Sequence, residues 1–151
     1  MDAFDRKIVE RLQADTGRPL AALAEEVGLS TSACHRRVRM LEERGLIAGY
    51  AARLDPEVLG LTVEVFVDIS LSGQDEKTLS AFEQAVGRFP EILECWLTAG
   101  RADYHLHVMA RDMADYDRIH RHVLSRLPGV ASMQTRFALR RIKPWQGYPV
   151  D

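Results

Sequence analysis

The chain of 151 residues is 46% apolar and carries a formal net charge of −2, so it can bury a core but has no global electrostatic reason to bind a polyanion. Any nucleic-acid surface must come from local clustering. Cys34 and Cys95 stand far apart without CxxC spacing, which argues against a disulfide scaffold, and no apolar run approaches the roughly 18 to 20 residues of a membrane span, so the expected location is cytoplasmic.

Three helical patterns open the chain. From Phe4 to Ala14, Phe4, Ile8, Val9 and Leu12 recur at helical spacing, Asp2 can cap the start, and Gly17 with Pro19 stops the run. A second helix is expected over Leu20 to Val27, closed by Gly28 in a left-handed conformation. Ser30 caps a third, which continues to Arg44, where Gly45 ends it. The second and third helices are therefore joined by the tight turn Gly28, Leu29, Ser30.

Residues 46–60 read as a linker strand or extended connector and then a turn, through Gly49, Pro56 and Gly60. Beyond them the period changes from helical to two. Val63 to Leu71 alternates as a strand, Asp75 to Arg88 is helical, Glu91 to Ala99 and Asp103 to Ala110 are strands hinged at Gly100, Asp112 to Arg126 is helical, and Val130 to Lys143 is the last strand. The predicted class is α+β: a helix-turn-helix, winged-helix-like domain (1–45), the linker (46–60) and a ferredoxin-like βαββαβ domain (61–151). If helices cover the sheet face of Val63, Val65, Val67, Cys95, Leu97, Tyr104, Leu106 and Val108, the other face presents Phe66, Trp96, His105, His107 and Met109. That face is too apolar to stay bare and predicts a homodimer through the sheet faces.

The third helix has the pattern of a DNA reader. Cys34, Val38 and Leu41 form its inward stripe, which leaves Ser32, His35, Arg36 and Arg39 outward, with Arg37 and Arg44 at the flanks and Ser30 and Thr31 at the start. Arginine suits a bidentate pair to guanine or a phosphate contact, and small hydroxyls allow close approach. Charge alone favours an ordinary solvated face; the helix, glycine turn and serine-capped basic helix together point to double-stranded DNA. Cys34 falls on the buried stripe and reads as a core thiol.

His105 and His107 share a strand face and raise the question of a metal, but no third ligand stands at motif spacing, and His120 and His122 point to different sides of a helix. No Ser/His/Asp or Cys/His nucleophile pattern, P-loop or GxGxxG is present. The expectation is a non-enzyme with no metal and no cofactor.

The runs MDAFDRKIV, LAEEVGLSTSACHRRVRMLEERGLIAGYAARLDPEVLG, AGRADYHLHVMARDMADYDRI and LPGVASMQTRFALRRIK resemble, in order and over nearly the whole chain, the Lrp/AsnC (leucine-responsive and asparagine-synthetase regulator, feast/famine) family. The resemblance implies transcription regulation by a dimer that assembles further, commonly to octamers, and that binds a small effector, usually an amino acid. The family's Gly-x-x-Asp-Tyr/Phe loop is met by Gly100, Asp103 and Tyr104, with Thr98 able to add a hydroxyl, and Arg101 and Ala102 depart from the acidic and aromatic residues many relatives carry. Asp103 can hold an ammonium and the glycine turn's N–H groups a carboxylate; Gly100 serves equally as a plain hairpin turn. Pro19 and Leu20 replace a serine cap, at a cost of about 1 kcal/mol. Some tetrapyrrole decarboxylases resemble this family and use histidines on the same scaffold, which makes a siroheme-type decarboxylase the alternative function.

Overall fold

The computed structural model describes residues 1–150. Its contacts divide into two units, Met1–Arg53 together with the chain from Ile142 onward, and Leu54–Arg141.

The first unit holds helices α1 (Ala3–Ala14), α2 (Leu20–Val27) and α3 (Thr31–Glu43). Asp2 and Asp5 form a reciprocal capping box on α1: the Asp5 N–H donates to Asp2 Oδ1 at 2.9 Å and the Asp2 N–H to Asp5 Oδ2 at 3.3 Å. No side chain caps α2 at Pro19, as expected, and its other end closes on Gly28 at φ 74°. The Ser30 hydroxyl then accepts the Ala33 N–H at 3.2 Å and starts α3. Ile8, Leu23, Ala24, Val27, Cys34, Val38 and Leu41 make the core of this unit. Phe4 departs from the expected apolar stripe: it is 40% exposed, with the Arg37 guanidinium 5.4 Å from its ring centroid.

Two expectations are corrected at the ends of this unit. The linker over 46–60 contains no strand; it is extended coil leading to a turn in which the Leu61 N–H donates to the Pro56 carbonyl at 2.8 Å. A strand needs a ladder partner, and no neighbouring segment supplies one, so the winged-helix-like expectation lacks its strand among the described residues. The described tail residues, 142–150, make their contacts within the first unit rather than extending the sheet. Gln13 Nε2 donates to the Tyr148 carbonyl at 3.0 Å, the Tyr148 N–H donates to Gln13 Oε1 at 2.6 Å, and the Arg53 guanidinium lies 5.3 Å from the Trp145 ring centroid.

The second unit runs β1 (Val63–Leu71), α4 (Glu76–Val86), β2 (Ile92–Leu97), β3 (Tyr104–Ala110), α5 (Met113–His122), a 3-10 turn (Leu124–Arg126) and β4 (Val130–Phe137). Its antiparallel sheet has the order β2-β3-β1-β4, so the β1–α4–β2 crossover leaves room for β3 and the β3–α5–β4 crossover passes over β1. Val65 pairs with Val108, Val67 with Leu106 and Ile69 with Tyr104, and this face buries against Phe82, Val86, Ile119, Val123 and Leu124. Asp75 and Asp112 cap α4 and α5 by accepting the N–H groups of Thr78 and Asp115 at 3.0 and 2.7 Å. The last strand stops at Phe137 rather than Lys143. Its neighbour β1 begins at Val63, so after the Ala138 N–H donates to the Glu64 carbonyl at 2.9 Å the ladder has no further partner.

Candidate nucleic-acid interface and ligand loop

Burial of Cys34, Val38 and Leu41 fixes which side of α3 faces solvent. Thr31, Ser32, His35, Arg36 and Arg39 stand exposed on the opposite side, and Ser30 and Arg44 are exposed as its two caps. The Ser30 and Ser32 hydroxyls lie 3.3 Å apart. Among the described residues, neither Arg36 nor Arg39 has a carboxylate partner, so both guanidinium groups keep all five donors for a ligand. Burial pushes the Cys34 thiol pKa up, in keeping with a core thiol rather than a reactive one.

Arg37, expected at the flank of this interface, has carboxylate partners on α1. Its Nη1 donates to Asp2 Oδ2 and to Asp5 Oδ1, each at 2.7 Å, while its plane covers Phe4. Its Nη1 is thereby committed to α1. Sequence spacing gave no sign of this, because the partners lie more than thirty positions away.

The loop between β2 and β3 brings Thr98, Gly100, Arg101, Ala102 and Asp103 together at one end of the sheet. Thr98 Oγ1 donates to the Ala102 carbonyl at 2.9 Å, and the Thr98 N–H to the Asp103 carbonyl at 2.8 Å. Gly100 sits at φ 155°, which L side chains rarely adopt. The Asp103 carboxylate accepts the Leu71 N–H at 2.7 Å and Gln74 Nε2 at 2.8 Å. Gln74 is a loop residue the sequence reading missed; only the tertiary fold places it there. Among the described residues the N–H groups of Gly100, Arg101 and Ala102 have no protein acceptor. Tyr104, expected at the loop, has its side chain buried: it is 1% exposed, its ring lies tilted against Phe82 with centroids 4.5 Å apart, and it donates its hydroxyl to Glu83 Oε1 at 2.7 Å. Burial and the Glu83 carboxylate raise its pKa, so the phenol stays protonated in the core.

On the uncovered sheet face, Phe66 stacks between His105 and His107 with ring centroids 5.5 and 5.0 Å away. His105 Nδ1 donates to Asp68 Oδ1 at 2.7 Å, and His107 Nε2 to Glu64 Oε1 at 2.9 Å. Trp96 is 44% exposed, whereas Met109, expected on the open side, is buried. Each histidine has its own carboxylate, and among the described residues no group of three or more His, Cys, Asp or Glu is placed to hold a metal. His120 and His122 lie on α5, away from this pair.

The family model of the AsnC-type helix-turn-helix domain matches residues 1–42, and that of the Lrp/AsnC ligand binding domain matches residues 64–147. The DNA-binding transcriptional activator DecR of Escherichia coli is 35% identical over 151 residues, covering 100% of this chain and 99% of that protein. A crystal structure of an AsnC family transcriptional regulator from Agrobacterium tumefaciens superposes with a TM-score of 0.93 at 36% identity, covering 99% of this chain and 97% of that one. A transcriptional regulator from Neisseria meningitidis, solved as a complex with L-Met, gives a TM-score of 0.95 at 32% identity, covering 100% and 97%. Nothing in these relatives supports the decarboxylase alternative. No helix among the described residues is long and apolar enough to cross a membrane.

Proposed function

Because the chain belongs to the Lrp/AsnC family of DNA-binding transcription regulators, we propose that it reads operator DNA with Thr31, Ser32, His35, Arg36 and Arg39 of α3, with Ser30 and Arg44 at the flanks. The observation that carries this reading is that Arg36 and Arg39 are exposed on the face opposite the core and have no carboxylate partner among the described residues. Two such helices are required for a two-half-site operator, and a homodimer supplies them. Support for the dimer comes from the Phe66, Trp96, His105 and His107 face, and from Leu46, Tyr50, Leu54 and Leu139, all more than half exposed in one copy. Further assembly to an octamer follows the family habit. We read the chain as a cytoplasmic regulator and not an enzyme.

The effector we propose is an amino acid at the loop of Thr98, Gly100, Arg101, Ala102 and Asp103. The free N–H groups of that loop suit a carboxylate, and the Asp103 oxygens retain acceptor capacity for an ammonium. The L-Met bound by the Neisseria meningitidis relative supports this class of ligand. The test is an operator shift with the double variant R36A/R39A: loss of sequence-specific binding with the oligomer intact is expected, and retained specificity would move the interface off α3.

A further inference from the structure

Asp5 is the only buried charged side chain among the described residues of the chain. A buried carboxylate must be paired or hydrogen-bonded, and removing its partner leaves an uncompensated charge. Both of its oxygens are engaged: Oδ2 accepts the Asp2 N–H in the capping box, and Oδ1 accepts Arg37 Nη1 at 2.7 Å. The same nitrogen also reaches the oxygen of Asp2 not used to cap α1, again at 2.7 Å. Thus one guanidinium from the middle of α3 closes the box that starts α1, with Phe4 beneath it 5.4 Å from the charge. The inward stripe of Cys34, Val38 and Leu41 seats α3 by shape, and apolar contacts of that kind are non-directional. Arg37 adds the directional contact, on the polar flank between the core and the exposed Arg36.

We propose that Arg37 is a positioning residue for DNA reading: it sets the orientation of α3 through Asp2 and Asp5 and makes no contact with DNA. The proposal rests on α3 being the DNA-reading helix. It accounts for one arginine of a basic run being paired while its neighbours Arg36 and Arg39 are free. The Asp2 pKa lies below its ordinary value because of the Asp5 N–H and the Arg37 hydrogen bond, as a closed box requires.

The distinction between positioning and contact is readable from salt dependence. A lysine or arginine that touches a phosphate contributes about one unit to the slope of log affinity against log salt, and its removal lowers that slope. The full-length chain is used to enrich a duplex from a random-sequence pool, and affinities for it are measured by fluorescence anisotropy across a salt series, at temperatures where circular dichroism shows each variant folded. R36A is expected to lower the slope by about one. R37M is expected to lose about tenfold in affinity with the slope unchanged, and D5N, which keeps every DNA-facing charge, to lose affinity in the same direction. The double variant R37M/D5N should bind no more weakly than R37M, because both changes break the same contact. D2N, on an exposed residue whose amide still caps, covers the case in which D5N does not fold, and a smaller loss is expected. A slope lowered by R37M, unaltered affinity in R37M, or tighter binding by D5N or D2N as the arginine is released toward DNA, each overturns the proposal. If the wild-type chain enriches no duplex, it is the α3 reading itself that fails, and this inference falls with it.

Discussion

The Asp103 carboxylate accepts the backbone N–H of Leu71 at 2.7 Å, so the group we propose for an effector ammonium is also the pin that joins its loop to β1. Charge and pin are separable. Asp103→Ala removes both and is expected to destabilise the second unit by about 1.5 to 3 kcal/mol, the scale of a hydrogen bond to a charged acceptor. Asp103→Asn keeps an oxygen for Leu71 and loses the charge, and its amide N–H meets the Gln74 side-chain oxygen once that amide turns over. Its thermal midpoint should stay near wild type while the amino-acid-induced shift in melting temperature disappears. An intact shift in Asp103→Asn would place the ammonium elsewhere.

Tyr104 gives the opposite expectation. Its hydroxyl donates to Glu83 of α4 and not to the loop, so Tyr104→Phe costs about 1 kcal/mol of stability and leaves the ligand response as it was. Chemical denaturation measures the first and ligand titration by thermal shift the second. A lost response with normal stability would return Tyr104 to the effector site.

The residues that sequence period placed well are those whose position is set by local chemistry. Ser30 caps α3 because its hydroxyl reaches the Ala33 N–H, and alternation from Val63 to Leu71 sorts the sheet faces because the pleat has period two. Tyr104 was legible by the same rule: it shares the face of Leu106 and Val108, and the loop motif placed it in the site against that alternation. What escaped depends on partners distant in sequence. Arg37 looks like any flanking arginine until α1 brings Asp2 and Asp5 beneath it. The pattern over 138–143 suggests strand, yet β4 ends where β1 offers no further ladder. Residues 46–60 fail for the same reason, since no segment among the described residues lies alongside them as a strand.

Gly28 is held at φ 74° at the end of α2, and a Cβ built there meets nothing within 4 Å. The cost of Gly28→Ala is therefore conformational and not steric, about 1 to 2 kcal/mol for a left-handed alanine. The expected result is a lower denaturation midpoint for the first unit with wild-type melting of the sheet. A variant as stable as wild type would mean that the turn between α2 and α3 does not require the left-handed state.

Asp68 supplies a pH dependence whose sign follows from its partners. The hydrogen bond from His105 is the largest influence holding its carboxyl below the ordinary 3.8; Arg136 acts in the same direction and burial opposes both. A depressed folded-state pKa means that, between the folded and unfolded values, the unfolded chain binds more protons. The contribution of Asp68 is thus fully present above 3.8 and is lost as pH falls through the folded value. Asp75 and Asp115, whose pKa values are lowered by the N–H and hydroxyl or guanidinium donors around them, act in the same window, so the wild-type slope alone does not isolate Asp68. The difference from Asp68→Asn does, because an amide cannot titrate. Urea unfolding of the two proteins, followed from neutral pH down to about pH 2, should show the larger stability advantage for wild type at neutral pH, with the gap narrowing once the pH passes below 3.8. A gap that stays constant through that window would show that the His105 contact does not bias the ionisation of Asp68.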